Sequence, residues 1–425
     1  MQPWSRAQRL PAIRSSRGQI LDSRAAIAYA PSMMKPMSLI LQDPVLRATT
    51  LAVLFYGGFI GSIAPYQSLV GVRRLGLPNG VYALVLVTAA VVAVSASILI
   101  GVATDRGLSR RRAALVSAGA TLCGALLMIV APGRPSFVLV HALILPGATL
   151  FGQFFAIGRI ASRVHSPADQ DAVMAVIRAM LALAFVAVAP VWSAVLSAGG
   201  DLLWIYSGLA VLAAGMLLSV LALPDRIAGD RPSGQSFRAS LSELARPEVV
   251  LRVALLGGIT AAITAYLVLI GLIFGQAGRP EGDVALFVGG VAGMEVPFML
   301  ALPLALRLAS RRMLIAGGAV IYGGWLAALP WLAGSAWVWL LILPAAFGGA
   351  AVLTLPIAYL QDLLSDRPGA GASLIALQKV TGDGACALAF VAGTALSGYG
   401  LAAVLAAGLA CAGGLGLAWV DRHRR

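Results

Sequence analysis

Apolar runs separated by short polar segments repeat along the chain from residue 48 to residue 420. Each run is close to about 20 residues, the length an α-helix needs to cross the hydrocarbon core of a bilayer. The pattern therefore predicts an all-α membrane protein with twelve transmembrane helices. The predicted spans are 48–70, 81–103, 112–131, 136–160, 171–195, 202–223, 249–275, 284–308, 313–333, 336–361, 372–398 and 400–420.

The spans fall into two sets of six, 48–223 and 249–420, which cover 176 and 172 residues. Near-equal halves of this kind are typical of transporters built from internal repeats. Residues 224–248 form a polar linker between the sets. The sequence predicts two six-helix bundles around a central cavity, with a disordered basic tail at 1–47 and a short tail at 421–425.

Composition agrees with this fold class, because 60% of the 425 residues are hydrophobic and only 11% are charged. Such a chain cannot hide its apolar surface inside a soluble globule, and it is too apolar to be disordered. The formal net charge of +14 does not indicate nucleic-acid binding, since the basic residues are scattered between apolar runs. Twenty-five of the 31 Lys and Arg lie on the side of the two termini and four on the other, which predicts cytoplasmic termini.

Several kinds of chemistry are excluded by the sequence. Lys35 and Lys379 are the only lysines, and neither completes a Gly-Lys-Ser/Thr loop for nucleotide phosphates. His141, His165 and His423 are far apart and lack neighbours at metal-ligand spacing. We therefore expect no enzyme activity, no metal and no cofactor.

Charged residues inside the predicted spans are the first candidates for function, because each costs at least about 2.5–3.5 kcal/mol there. Lys379 and Asp383 are four apart and share a helix face, so they serve either as a structural pair or as part of a substrate site. Arg178 occupies in span five the depth that Lys379 occupies in span eleven. Glu295 is a desolvated carboxyl and the candidate for carrying a proton, or else it bonds to a neighbouring helix.

Five short stretches of the chain are specific enough to compare with known families: Gly293-Met-Glu-Val-Pro297, Tyr359-Leu-Gln-Asp362, Ala172-Val-Met174, Ile177-Arg178-Ala179 and Gly371-Ala-Ser373. In these stretches, and over most of the twelve spans, the chain resembles the bacterial sugar efflux transporters, a branch of the major facilitator superfamily. The resemblance implies proton-driven export of sugars or sugar-like compounds by alternating access, in the bacterial inner membrane, by a monomer. The partners it implies are a small-molecule substrate, protons and the lipid bilayer.

The same resemblance places particular residues. Spans five and eight meet in that superfamily, which makes Arg178 and Glu295 candidate partners, although their depths differ by about 10 Å. Spans one, four, seven and ten line the cavity there, and amide and phenol groups suit a neutral polyhydroxy ligand. The candidate binding or coupling residues are Tyr56, Gln67, Gln153, Tyr266, Thr354, Tyr359 and Gln378, besides the four charged residues.

Gating residues are expected at two places. The loop Gly101–Arg112 resembles a superfamily signature, in which Asp105, with Arg106, would act as an electrostatic latch between the halves. Pro297 cannot donate a backbone hydrogen bond and would loosen span eight beside Glu295. Two other functions stay open: export of drugs or amphiphiles by the same fold, and sugar sensing without transport.

Overall fold

The computed structural model describes residues 34–105, 107–225, 246–363 and 368–422, and these residues form helices and turns without a strand. The prediction of an all-helical fold is confirmed for them. We number the long helices α1 to α12 in chain order. They are α1 Pro44–Ile63, α2 Asn79–Asp105, α3 Arg110–Val130, α4 from Arg134 to Ala161, α5 Pro167–Ser197, α6 Trp204–Leu221, α7 Pro247–Gln276, α8 Glu281–Leu308, α9 Arg311–Leu332, α10 Ile342–Leu363, α11 Pro368–Leu396 and α12 Tyr399–Val420.

Eleven of the helices in the described part of the chain are long and apolar enough to cross a membrane. The remaining one, α11, has 29 residues, which is a sufficient length. It is not among the eleven, and so the count of twelve transmembrane helices stays a prediction. The structure nevertheless contains a helix for each predicted span.

Residues 34–47, which the sequence analysis placed in the tail, are mostly helical. Met34–Gln42 forms a short helix, and α1 begins at Pro44 because Asp43 caps it, accepting hydrogen bonds from the Val45 and Leu46 amides at 2.7 and 3.1 Å. Lys35 of the short helix forms an ion pair with Asp169 of α5, with 2.7 Å between Lys35 Nζ and Asp169 Oδ1. The rest of the predicted tail, up to residue 33, and most of the linker, 226–245, lie outside the described residues.

Each half packs through glycine contacts that bring helix backbones together, as is common in membranes. In the N-terminal half a side chain at Gly57 or Gly61 would collide with the α5 backbone. In the C-terminal half Gly258 and Gly413 play the same role between α7 and α12. The halves are thus two separately packed bundles, α1–α6 and α7–α12.

The loops define two ends of the molecule. The terminal face carries the loops 107–109, 162–166 and 309–310 and the C-terminal ends of α6 and α12. The distal face carries the loops 64–78, 131–133, 198–203, 277–280, 333–335 and 397–398.

Two helix pairs join the halves, α5 with α8 and α2 with α11. The Tyr66 hydroxyl donates to the Glu281 carbonyl at 3.1 Å, and the Tyr399 hydroxyl donates to Asn79 Oδ1 at 3.3 Å. The rings of Tyr82 and Phe390 lie 5.7 Å apart. These contacts all belong to the distal ends of their helices, so the halves are closed against each other at the distal face.

Helix α4 is interrupted, whereas the sequence predicts one continuous span at 136–160. It is π-helical at Val140–Ile144 and breaks before Leu150, where Thr149 adopts a left-handed conformation with φ of 46°. Gln153 Nε2 donates to the Ala148 carbonyl at 3.0 Å, which satisfies a backbone oxygen that the break leaves without a helical partner. The break therefore turns Gln153 into part of the local backbone support.

Candidate functional site

A cleft separates the halves toward the terminal face. Helix α8 has seven buried residues between Gly282 and Val291 but only Leu302 buried between 292 and 308. Helix α2 has no buried residue from 91 to 104, although its distal part contains several. Contact with lipid alone would expose both ends of each helix to the same extent. The lower burial toward the terminal face therefore means that α2 and α8 diverge from the opposite half as they approach that face. The two halves form the walls of the cleft, with α2 and α5 in one wall and α8 and α11 in the other. The pair α2 and α11 flanks the cleft at one edge, and the pair α5 and α8 flanks it at the opposite edge.

Arg178 of α5 projects into this cleft. Leu181 and Phe185 mark the side of α5 that contacts glycines of α1, and Val186 and Ala189 mark the side that contacts glycines of α8. With 100° of helix rotation per residue, Arg178 lies between these two sides of α5. It occupies the region that α8 would fill if α8 stayed against α5 up to the terminal face. The exposed Arg178 side chain therefore faces the space between the halves.

Aromatic rings of the N-terminal half surround Arg178. Its guanidinium carbon lies 5.9 Å from the centre of the Phe155 ring, a cation–π distance. Phe155 in turn lies 4.6 Å from Phe151, and Phe151 lies 6.4 Å from Tyr56. Phe151 and Phe155 are on the side of α4 opposite Gln153, which points to α3, so both rings face away from α3.

The C-terminal half contributes a polar cluster from α7 and α11. Lys379 Nζ lies 2.7 Å from Asp383 Oδ2, and Thr264 Oγ1 donates to Asp383 Oδ1 at 2.8 Å. Gln378 Nε2 donates to Thr260 Oγ1, also at 2.8 Å. The ion pair between Lys379 and Asp383 expected from their spacing is thus present.

Lys379 also faces the cleft. It is on the same side of α11 as Cys386 and Phe390, which reach Tyr82 of α2 toward the distal face. Since α2 diverges at the level of Lys379, the Lys379 side chain is 63% exposed. Arg178 and Lys379 therefore occupy equivalent positions in the two halves, each in the gap left by a diverging helix.

Glu295 does not pair with Arg178, contrary to one of the sequence expectations. A side chain at Gly349 of α10 would collide with Glu295 Oε1, so the carboxyl is directed into its own half. The glycines of α8 that contact α5, Gly289 and Gly293, are on the opposite side of the helix. Within the described residues neither Glu295 nor Arg178 forms an ion pair. Helix rotation, more than the difference in depth, keeps them apart.

Three polar residues predicted to line a cavity are instead engaged in or between helices. Gln153 donates to Ser117 of α3 at 2.8 Å and to the chain at the α4 break. Tyr266 is buried against Trp325, with ring centres 5.0 Å apart, and its hydroxyl has no hydrogen-bond partner among the described residues. Tyr359 donates to Asp421 and accepts from Arg252 at 3.0 Å.

The remaining predicted residues lie as follows. Tyr56 faces the aromatic group beside Arg178, and Thr354 is exposed on α10. Gln67 lies in the distal turn after α1, so it is not at the level of the cleft. Pro297 is inside α8 in its diverging part. Asp105 ends α2, but its side chain and all of Arg106 lie outside the described residues.

Thr260 and Thr264 were missed by the sequence analysis. Their signal was two threonines four residues apart in an apolar span, which places both hydroxyls on one helix face. In the described part of the chain, no group of three or more His, Cys, Asp or Glu side chains is placed to hold a metal ion. The site is thus a set of polar and aromatic side chains around an open cleft.

Comparisons with known proteins agree with this architecture. Residues 49–389 match the family model described as Major Facilitator Superfamily. The nucleoside transporter NupG is 13% identical with a TM-score of 0.72, over 89% of this chain and 98% of NupG. A POT family transporter in complex with a thioalcohol-conjugated peptide is 11% identical with a TM-score of 0.68, over 89% of this chain and 96% of that one. No curated protein matches the chain in sequence.

Proposed function

Since the chain belongs to the Major Facilitator Superfamily, we propose that it exports sugars or sugar-like compounds in exchange for protons, by alternating access of a site between its halves. Membership of the family makes it a transporter with a small-molecule substrate. The sugar, the direction and the proton coupling are the proposed part.

The observation that carries the proposal is the cleft with an equivalent cationic residue on each wall. Arg178 and Lys379 stand in the gaps where α8 and α2 diverge, and Asp383, Thr264 and Gln378 add acceptors and donors beside Lys379. Donors and acceptors close together between apolar walls suit a ligand rich in hydroxyl groups. A site between two bundles, closed on one side only, is what alternating access requires.

Glu295 is the proposed proton carrier. Its carboxyl is directed into the C-terminal half, the residue is half-buried, and it has no ion-pair partner among the described residues, so a proton is the simplest way to neutralise it. Gly349 on α10 leaves room for its Oε1 atom. Gain or loss of that proton would change how α8 packs on α10, and α8 is one of the helices that join the halves.

The terminal face is proposed to be cytoplasmic. It carries the excess of Lys and Arg, which resist translocation across the membrane. The cleft described above would then be open to the cytoplasm, the state in which an exporter loads its substrate.

Flux into proteoliposomes under an imposed pH gradient tests the proposal. We expect the gradient to drive accumulation of a radiolabelled sugar, and Glu295→Gln to abolish the gradient effect while sugar exchange continues. Glu248→Gln removes an exposed carboxylate on α7 and is the matched control, with transport retained. Gradient-driven transport that survives Glu295→Gln would rule out this proton site, and sugar that binds without ever crossing would rule out transport.

A further inference from the structure

Arg178 is an in-span charge facing the cleft for which the described residues provide no counter-charge. Lys379 is neutralised by Asp383 at 2.7 Å, and Glu295 is directed away into its own half. Asp171 is on the same face of α5 as Arg178, but seven residues at 1.5 Å each put it about 10 Å away along the helix. A cation in a membrane span is costly unless an anion or water compensates it.

The surroundings of Arg178 have the form of a binding surface. Its guanidinium lies over Phe155 at 5.9 Å, and the Phe155 and Phe151 rings are 4.6 Å apart with planes inclined by 37°. Phe151 is 52% exposed, although neighbouring Phe154 is fully buried. An exposed pair of rings beside an uncompensated guanidinium offers a flat apolar surface with a positive charge at its edge.

We propose that the cleft binds a ring-bearing organic acid, whose carboxylate pairs with Arg178 and whose ring packs on Phe155 and Phe151. A guanidinium presents two parallel N–H donors that match the two oxygens of a carboxylate. Aromatic faces accept either another aromatic ring or the apolar face of a sugar ring. The positive charge comes from α5 and the aromatic rings from the adjacent helix α4. A ligand therefore needs both an acid group and a ring to contact both.

This inference rests on the proposed transport function and adds the charge of the solute to it. Hydroxyl groups on the ring would face the cluster of Thr264, Gln378 and Lys379 on the opposite wall. An acidic sugar combines the acid group, the ring and the hydroxyls, so a hexuronate is a suitable probe. The sequence analysis favoured a neutral ligand because it argued from the amide and phenol groups expected to line the cavity, and it treated Glu295 as the candidate partner of Arg178.

Binding of two probes of the same shape tests the inference. D-Glucuronate and its neutral amide, D-glucuronamide, differ at the acid group, and each is titrated into the purified full-length chain. We expect glucuronate to bind about 10–100-fold more tightly, the range of a hydrogen-bonded charge pair. Arg178→Gln should bring the ratio of the two affinities close to one, and Arg178→Lys should keep part of it, because lysine retains the charge without the two-pronged geometry.

Arg47→Gln is the control. Arg47 is exposed at the start of α1, on the side of that helix where Gly58 contacts Leu212 of α6. Its substitution therefore removes one positive charge at a place away from the cleft. The affinity ratio should stay as in the unmodified chain. A ratio near one in the unmodified chain, no glucuronate binding, or a ratio unaffected by Arg178→Gln would each overturn the inference.

The same probes in proteoliposomes separate the two proposals. Flux of the amide without flux of glucuronate overturns the acidic substrate and leaves transport standing. Tight, Arg178-dependent binding of glucuronate with no flux of either compound supports the acidic site and overturns the transport function.

Discussion

Lys379 and Asp383 form an unequal ion pair on α11: the Asp383 side chain is 10% exposed, whereas that of Lys379 is 63% exposed. Thr264 donates a further hydrogen bond to the same carboxylate at 2.8 Å. The pair thus holds a buried acid with an exposed base. Removing one partner or the other should have different consequences.

Lys379→Met should destabilise the protein more than Asp383→Asn. The first change leaves a buried carboxylate with only Thr264, at a cost of about 1–3 kcal/mol. The second leaves an exposed ammonium, which should cost less than about 1 kcal/mol. The double variant should be milder than the sum, with a coupling energy of about 0.5–3 kcal/mol. Denaturant unfolding of the purified protein in detergent measures all three.

Lys35→Met serves as the control for that series. Lys35 also pairs with an aspartate, Asp169, at 2.7 Å, but its side chain is 64% exposed and lies on the short helix before α1. The expected cost is below about 1 kcal/mol. Strictly additive losses in the α11 variants would show that Lys379 and Asp383 do not act as a pair.

Gly349→Ala should damage the Glu295 site. The new methyl group would collide with Glu295 Oε1. Because this atom is the far end of a flexible side chain, the carboxyl can shift aside, and the loss of stability should be at the low end of the about 1–3 kcal/mol typical of overpacking. Glu295→Ala in the same chain should remove the collision and restore part of the lost stability, although not the proton coupling. Thermal unfolding and gradient-driven flux measure the two effects separately.

Gly317→Ala is the matched change, because a side chain there would meet nothing within 4 Å. It should leave stability and flux close to those of the unmodified chain. If Gly349→Ala proves as harmless as Gly317→Ala, the carboxyl of Glu295 does not lie against α10.

Asp421→Ala should cost far more stability than Asp201→Ala. Asp421 accepts from Arg252 at 2.8 Å, and both side chains are 6% exposed. Its loss leaves the buried guanidinium with only the more distant Glu248 carboxylate at 3.8 Å, at a cost approaching the about 3–5 kcal/mol of a broken buried ion pair. Asp201 pairs with Arg74 at 2.7 Å on the distal face, where the side chains are 38% and 46% exposed, and about 0–1 kcal/mol is expected. Equal losses in unfolding experiments would contradict this ranking.

The Asp201 contribution should also depend on pH. The hydrogen bond from Arg74 holds the pKa of the Asp201 carboxyl below its usual range. The folded protein therefore binds this proton less readily than the unfolded chain, and stability from the pair is present above the ordinary carboxyl pKa and lost as the pH falls through the lowered one. The difference in stability between the unmodified chain and Asp201→Asn should shrink as the pH falls through that range.

Much of the fold was predictable because the spacing of apolar runs depends on bilayer thickness and chain composition alone. The equal depth of Arg178 and Lys379 in their spans indicated equivalent positions in α5 and α11, and their role as paired sites stays a prediction. The four-residue spacing of Lys379 and Asp383 correctly indicated their ion pair, since both residues are on one helix and no tertiary information was needed.

The hydrophobic pattern did not specify the orientation of each helix about its own axis. Glu295 was placed in the right helix, but which neighbour it faces depends on the glycines that turn the other side of α8 toward α5. Gln153 was assigned to the cavity because span four lines the cavity in the superfamily that the chain resembles, whereas the break at Thr149 brings its amide into hydrogen bonds with the local chain. Both errors concern tertiary contacts that an apolar stripe around a membrane helix does not specify.

Opening of the distal face is the movement that the account requires, and a disulfide between α5 and α8 tests it most directly. Ser197 and Gly282 are adjacent across the halves at the distal face, with Ser197 Oγ 2.5 Å from the position of a Cβ on Gly282. Ser197→Cys with Gly282→Cys, in a chain whose Cys123, Cys386 and Cys411 are replaced by alanine, should cross-link on oxidation.

The oxidised double variant should lose transport and regain it on reduction, while each single cysteine variant keeps transport under both conditions. Full transport by a completely cross-linked protein would contradict alternating access, because the halves would then carry substrate without separating at the distal face.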